Sequence, residues 1–274
     1  MLPGMARQEG DEQVRTWTGM FDALAPVYDQ SGVAFFQPIA AQLCELLAPG
    51  PGERALDVGC GRGAVTRRLV EAGADVTAVD LAPAMVELTK AAVPEATVLE
   101  ADATRLELPA ASYDVLSSSL VLFFLPDPRG ALATWLRLLA PGGRIGITSF
   151  GEADDTFAAL GALFDPFIPP QALDPLADRE EDPFASETSL RGLFTDAGAA
   201  DVEVRTEPLW VELADVAAWR AWTMTTGQRL FWGRMDDEQR ADVLARAEAL
   251  IEGGRDQHGR VVVRQDVRYA LARV

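Results

Sequence analysis

Asp57-Val-Gly-Cys-Gly-Arg-Gly63 is the stretch whose residue types and spacing point most directly to a binding chemistry. Glycines let the chain turn sharply and let a ligand lie on the backbone without meeting a Cβ. A helix that begins directly after such a loop offers unpaired N–H groups to a carboxylate or phosphate. The spacing Gly59-x-Gly61-x-x-Ala64 also fits the loop that holds dinucleotide pyrophosphates, so the glycines alone leave two ligand classes open. Asp57, two residues before the first glycine, separates them. A carboxylate at that point repels a pyrophosphate and attracts a ligand that carries an ammonium.

Other chemistry is thinly supplied. The only histidine, His258, lies in the turn-rich stretch Glu252-Gly-Gly-Arg-Asp-Gln-His-Gly259, which reads as a surface hairpin. If a histidine base is used, it must be this one. The two cysteines, Cys44 and Cys60, cannot make a structural zinc site by themselves, and no Cys/His/Asp cluster has metal spacing. No nucleophile elbow and no Walker loop is present. Tyr28 and Asp29 complete the short set of candidate bases. Val121-Leu-Phe-Phe-Leu125 carries two phenylalanines, which cannot act as bases. Phe123 and Phe124 therefore read either as core or as the wall of an apolar acceptor pocket. Trp219 and Trp222 stand three apart on one helix face, and the same two readings apply to them and to Phe164.

These residues must be positioned by regular elements. Residues 1–19 carry little apolar pattern and read as mobile. From Met20 to Leu47 apolar residues recur with helical spacing, broken near Asp29-Gln30-Ser31-Gly32. Short apolar strands follow at 54–58, 75–80, 96–100, 113–117 and 144–150. Helices over 64–72, 83–92 and 128–140 separate them, the last stopped by Pro141-Gly142-Gly143. That alternation predicts a parallel, doubly wound α/β sheet with right-handed crossovers. Residues 151–187 hold Pro166, Pro169, Pro170, Pro175 and Pro183 and read as a lid with a short helix. Helices at 189–197, 215–232 and 236–252 and strands at 201–213 and 261–274 complete the chain, for seven strands in all. The expected organisation is one domain over 1–274. It comprises an N-terminal helical cap (1–48), a cofactor-binding core (49–150), a lid-like insertion (151–188) and C-terminal strands (189–274) with cap helices at 215–252.

Ala-Leu-Asp-Val-Gly-Cys-Gly-Arg-Gly at 55–63 resembles the first motif of the class I S-adenosylmethionine-dependent methyltransferases. Other landmarks follow in order: Asp80 ending the second strand, Asp102-Ala103 ending the third, Tyr113-Asp-Val115 opening the fourth and Leu-x-Pro-Gly-Gly-Arg at 139–144 before the fifth. The resemblance covers roughly Phe21 to Phe150 well and the rest in outline. It implies a Rossmann-like methyltransferase fold and S-adenosyl-L-methionine as cofactor, with S-adenosyl-L-homocysteine as product. It also implies that Asp80 takes the ribose hydroxyls, that Asp102, Ala103, Leu81 and Met85 surround the adenine, and that Ser118, Ser119 and Leu120 meet the cofactor tail beside Gly59, Cys60 and Gly61. Phe21-Asp-Ala-Leu-Ala-Pro-Val-Tyr-Asp29 resembles the subgroup of quinone-biosynthesis and natural-product enzymes, in which the tyrosine helps cover the cofactor. The departure is at 121–125, where many relatives carry histidine and this chain does not.

The net charge of −18 disfavours nucleic acid as substrate. No apolar run is long enough to span a membrane, and the first residues have no signal-peptide core, so a cytoplasmic enzyme with a small, partly apolar or aromatic substrate is expected. Whether it is a monomer or a homodimer is open. Two alternatives stand: a nicotinamide-dependent oxidoreductase, and a protein of methyltransferase fold that binds the ligand without methylating, such as a cyclase.

Overall fold

The computed structural model describes residues 3–168 and 182–274. Pro169, Pro170 and Pro175 of the expected lid lie outside them. Two N-terminal helices, α1 (Pro3–Leu24) and α2 (Phe36–Leu47), precede the sheet. The central alternation is β1 (Arg54–Val58), α3 (Ala64–Glu71), β2 (Asp75–Asp80), α4 (Pro83–Ala92), β3 (Thr97–Glu100), β4 (Tyr113–Ser119), α5 (Pro128–Leu136) and β5 (Leu139–Ala153). Then come α6 (Asp155–Ala162), α7 (Glu187–Asp196), β6 (Ala200–Leu213), α8 (Val216–Thr223), α9 (Arg229–Trp232), α10 (Asp237–Gly253) and β7 (Val261–Arg273).

The seven strands form one sheet in the order β3-β2-β1-β4-β5-β7-β6. β1 to β5 pair in parallel, and β7 runs antiparallel to both β5 and β6. The chain reverses direction between β1 and β4, and an open parallel sheet binds its ligand in the crevice at such a point. Alternate residues feed two cores, as the two-residue period of a strand requires. Ala55 and Val115 face α2, α3 and the helices of the second half, whereas Leu56, Val58 and Leu116 face α5 and α7. Both faces are covered, which is why these strands read as apolar runs without a polar side.

Three expectations need correction. Residues before Met20 are helical from Pro3 onward. Val14, Trp17, Phe21 and Leu24 follow one another at three- and four-residue spacing, an apolar stripe that extends the helix upstream of Met20. Second, the helix before β5 ends at Leu136, and Pro141-Gly142-Gly143 sits inside the first residues of β5, where the pairing with β4 shifts register between Tyr113 and Val115. That is a bulge, and it absorbs the proline and the positive φ of Gly142. Third, the helix expected over 215–232 is broken. Thr223, Thr225 and Thr226 each turn a hydroxyl back onto carbonyls at the end of α8, supplying donors that a further turn of helix would have provided.

Candidate active site

Three adjoining chambers lie at the carboxyl ends of β1, β2 and β4. The first is lined by Gly59, Gly61, Asp80, Leu81, Met85, Asp102, Ala103, Ser119 and Leu120, with Trp17, Phe21 and Tyr28 from the N-terminal segment above them. The second is lined by Asp29, Asp57, Cys60, Arg62, Ala64 and Val65. The third is an aromatic chamber of about 370 Å³, between α1 and the 222–231 stretch. Tyr28 and Leu120 line all three and mark where they meet.

The glycine loop is held by its own backbone. The N–H groups of Gly59 and Cys60 both donate to the Val79 carbonyl, at 2.8 and 3.0 Å. Gly61 donates to Asp80 Oδ2 at 2.8 Å, and Ala82 donates to Asp80 Oδ1 at 2.9 Å. Asp80 therefore joins the loop to the start of α4 while each of its oxygens keeps lone pairs for hydroxyl groups. Burial pushes its carboxyl up, and the N–H groups of Ala82, Gly61 and Leu81 pull it back. A Cβ on Gly61 would meet nothing within 4 Å, so the space above that residue belongs to the chamber. Gly61→Ala is expected to weaken binding of S-adenosylhomocysteine well beyond its cost in stability, about 1–2 kcal/mol for a positive φ. Calorimetry set beside urea unfolding checks this, and equal losses would remove Gly61 from the ligand surface.

Asp57 is enclosed. Only 1 % of it is exposed. Its Oδ2 accepts from Thr66 Oγ1 at 2.6 Å and its Oδ1 from Ser117 Oγ at 2.8 Å. Burial pushes its carboxyl up to about 6, against the pull of the Thr66 and Ser117 hydroxyls. An unfolded aspartate loses its proton near pH 4. Between those values the folded chain holds the extra proton, so unliganded stability is highest below the lower value and declines through the upper one. The decline amounts to about 3 kcal/mol at most for a shift of roughly two pH units. A ligand ammonium held near Asp57 favours the ionised form, so S-adenosylhomocysteine affinity should rise with pH up to about 6 and then level off. Asp57→Asn should flatten that rise in calorimetry from pH 5 to 8, which also separates Asp57 from Asp80.

The N-terminal segment is tied to this frame. Arg62 donates to the carbonyls of Ala25 and Pro26, at 2.7 and 3.2 Å, and the Ala84 N–H donates to Asp22 Oδ1 at 2.7 Å. These bonds set the turn that carries Tyr28, whose ring lies 5.0 Å from Phe36 and 6.0 Å from Phe21. Burial pushes the Tyr28 phenol well above its ordinary value, with Asp29 and Asp80 adding to it. That favours its protonated form. Asp29 is likewise pushed up by burial, eased by Gln37 and Arg62, and it lines the second chamber, not the aromatic one.

Most residues expected at the cofactor are brought together. Asp102 Oδ1 is fixed by the Thr104 N–H and hydroxyl, and the Ala103 carbonyl accepts from Trp135 Nε1 at 2.8 Å. Leu120 has a φ of 58°, unusual for a residue with a side chain, and is held there by Thr148. Ser118 does not face a chamber: its hydroxyl donates to the Val58 carbonyl within the sheet. Cys60 packs beside Ala78, Val86 and Val98 and also borders the second chamber.

On the acceptor side Phe123, Phe124 and Trp222 line the aromatic chamber. Phe164 and Trp219 do not. They stack on each other at 5.6 Å and pack against Trp232 inside the core. Trp219 and Trp222 share a helix, yet a three-residue step sets them about 60° apart around its axis, which is enough to give them different neighbours. His258 is exposed in a turn between α10 and β7, next to Gln257, and borders none of the chambers. Of the expected lid, Phe157 reaches the aromatic chamber while Leu160 and Leu163 are buried in the core. Trp17, Phe35, Phe36, Phe150, Thr226, Gln228, Phe231 and Gln265 were not foreseen at the site. The Trp17-to-Phe21 spacing was the one usable signal for any of them. Among the described residues no cluster of His, Cys, Asp and Glu could hold a metal ion, and no helix is long and apolar enough to cross a membrane.

The comparisons agree with this geometry. A family described as "Methyltransferase domain" matches residues 56–147. The chain is 34 % identical over 245 residues to nocamycin O-methyltransferase from Saccharothrix syringae, covering 82 % of this chain and 87 % of that one. It is 36 % identical over 170 residues to aklanonic acid methyltransferase DauC from Streptomyces sp. (strain C5), covering 59 % and 77 %. In fold it is similar to the YcgJ protein from Bacillus subtilis, with a TM-score of 0.58 at 15 % identity over 85 % of this chain and 97 % of the other. A switch-point crevice whose glycine loop is bonded to the acid ending β2, together with relatives of this length and identity, leads to one conclusion: the chain belongs to the class I S-adenosylmethionine-dependent methyltransferases.

Proposed function

We propose that this enzyme methylates a small, partly apolar or aromatic metabolite of natural-product biosynthesis, in the cytoplasm and without nucleic acid as a partner. The observation that carries the reading is the aromatic chamber. Phe35, Phe36, Phe123, Phe124, Phe150 and Phe157 line it, no charged side chain among the described residues does, and it meets the cofactor chamber at Tyr28 and Leu120. The named substrates of the two natural-product relatives support the same class. The acidic surface, with a net charge of −18, supports the exclusion of nucleic acid.

Bound S-adenosylmethionine supplies a methyl group already activated on a sulfonium. The chain's own residues do the rest. On this reading Asp80 accepts from the ribose hydroxyls and Leu81, Met85, Asp102 and Ala103 enclose the adenine; that all five line one chamber supports it. Tyr28 and Phe21 cover the junction. The aromatic wall excludes water and holds the acceptor flat, so that alignment and desolvation carry most of the rate.

A comparison of melting shifts with S-adenosylhomocysteine and NAD tests the cofactor. Incubation with methyl-labelled S-adenosylmethionine and flat aromatic acceptors tests the transfer. Label that stays on the cofactor with every acceptor, despite tight binding, would favour a role without methylation. Tyr28→Phe should keep kcat within about tenfold, because removing a true general base costs about a hundredfold or more. A larger loss, measured at saturating cofactor, would show that the phenol takes part in proton transfer.

A further inference from the structure

The inward-facing row of β7 runs Val261, Val263, Gln265, Val267 and Tyr269. Its four apolar members belong to one core, and the amide of Gln265, 7 % exposed, stands in the middle of them. A buried amide is costly unless both its nitrogen and its oxygen find partners.

The nitrogen finds them. The ladder between β5 and β7 shifts register between Phe150 and Ala153. Gln265 Nε2 donates into that irregularity, to the carbonyls of Asp266, Gly151 and Glu152 at 2.9, 3.1 and 3.4 Å. These contacts fix which end of the amide is which, because an oxygen in that place would face three carbonyl oxygens. The oxygen finds none. Oε1 accepts from no donor among the described residues, yet it is not sealed in as Ser149 Oγ is. The space open to Gln265 is the aromatic chamber, whose wall it joins.

Its place in that wall is remote from the cofactor. Gln265 borders neither the cofactor chamber nor the second one. Gly151 follows Thr148, which holds Leu120 at the junction, by three residues of strand, about 10 Å. Of the other polar side chains on the wall, Thr226 and Gln228 are bonded to each other, and Tyr28 stands at the junction.

We infer that Gln265 is a specificity-determining residue, whose Oε1 accepts a hydrogen bond from a hydroxyl or N–H group that the methyl acceptor carries on the side away from the methylated atom. This rests on the reading of the aromatic chamber as the acceptor site of a methyltransferase. An amide oxygen can only accept, so a ketone, an ether or a carboxylate presented to it gains nothing. Such a group, or a bare ring edge, also strips Oε1 of solvent without replacing the lost bond. The acceptor therefore keeps one donor that this enzyme does not methylate. A reaction that installs that hydroxyl or N–H precedes this one, and any reaction that caps it follows.

The test is calorimetric, on the full chain with S-adenosylhomocysteine bound. The probes are 2-naphthol and 2-methoxynaphthalene, which share a ring system and differ in the donor. The naphthol should bind about tenfold tighter, the cost of leaving a buried acceptor unmet. Gln265→Met, similar in shape but without the amide, should bring that ratio close to one. Gln265→Lys is the second variant. Its ammonium can still donate to the strand carbonyls but has no lone pair to offer, so it too should bind both compounds alike. Equal affinities in the native chain, or a preference that survives in either variant, overturn the inference and leave the acceptor site standing. Variants that bind S-adenosylhomocysteine and neither naphthalene make Gln265 a support of the wall alone, and overturn it as well. A native chain that binds S-adenosylhomocysteine and neither compound overturns the reading of the aromatic chamber and the inference with it.

Discussion

Asp80→Ala is expected to weaken S-adenosylhomocysteine binding by about 2–4 kcal/mol, roughly 30- to 900-fold, through the loss of two charge-assisted hydrogen bonds to hydroxyl groups. The structure adds a second reason for a large effect. Both Asp80 oxygens also accept backbone N–H groups, from Gly61 and from Ala82, so the substitution frees the glycine loop as well. Asp80→Asn should rescue little. Its amide nitrogen would face one of those two N–H groups as a second donor, and one acceptor would be lost. Calorimetry with the product measures the affinity, and thermal unfolding of the unliganded variant separates the loop's contribution. An affinity equal to that of the native chain would remove Asp80 from the ribose site.

Gly59→Ala should be the most damaging small change in the loop, at about 2–5 kcal/mol of stability. Its φ of 72° is left-handed, and a side chain there costs about 1–2 kcal/mol. The new Cβ would also stand 2.3 Å from Val121 Cγ2 and 3.0 Å from Val121 Cγ1. Neither atom is the end of a long, flexible chain, so the crowding adds about 1–3 kcal/mol. A double-mutant cycle divides the two causes. Val121→Ala removes the crowding atoms and should recover the second part in the Gly59→Ala background, leaving the conformational part. Urea unfolding measures each corner, and additive losses would show that Val121 is not the obstacle.

The cofactor half of the site was legible because each of its landmarks is local. Asp57 with its glycines, Asp80, and Asp102 with Ala103 each close one strand, and a strand end in a parallel sheet opens on the same crevice whatever surrounds it. What stayed hidden there were orientations. Nothing local shows that Ser118 turns into the sheet while Ser119 and Leu120 face the chambers, because that depends on the end of β4 and on the Thr148 hydroxyl across the strand pair.

The acceptor half was hardly legible. Its wall comes from α1, the start of α2, the end of β4, the end of β5, α6, the 222–231 stretch and β7. Phe164 and Phe157 stood together in one apolar segment, and Trp219 and Trp222 on one helix. All four pack in one core, and in each pair only one also borders the chamber. The sequence by itself settled the sheet, the loop and the cofactor, since strand period, turn chemistry and the charge of Asp57 act over a few residues. The tertiary structure alone decided the shape of the acceptor chamber, which aromatic side chains line it, and, among the described residues, that the buried indole N–H groups of Trp17 and Trp222 have no acceptor. Whether a buried donor has a partner depends on side chains far apart in the chain, and no local pattern records it.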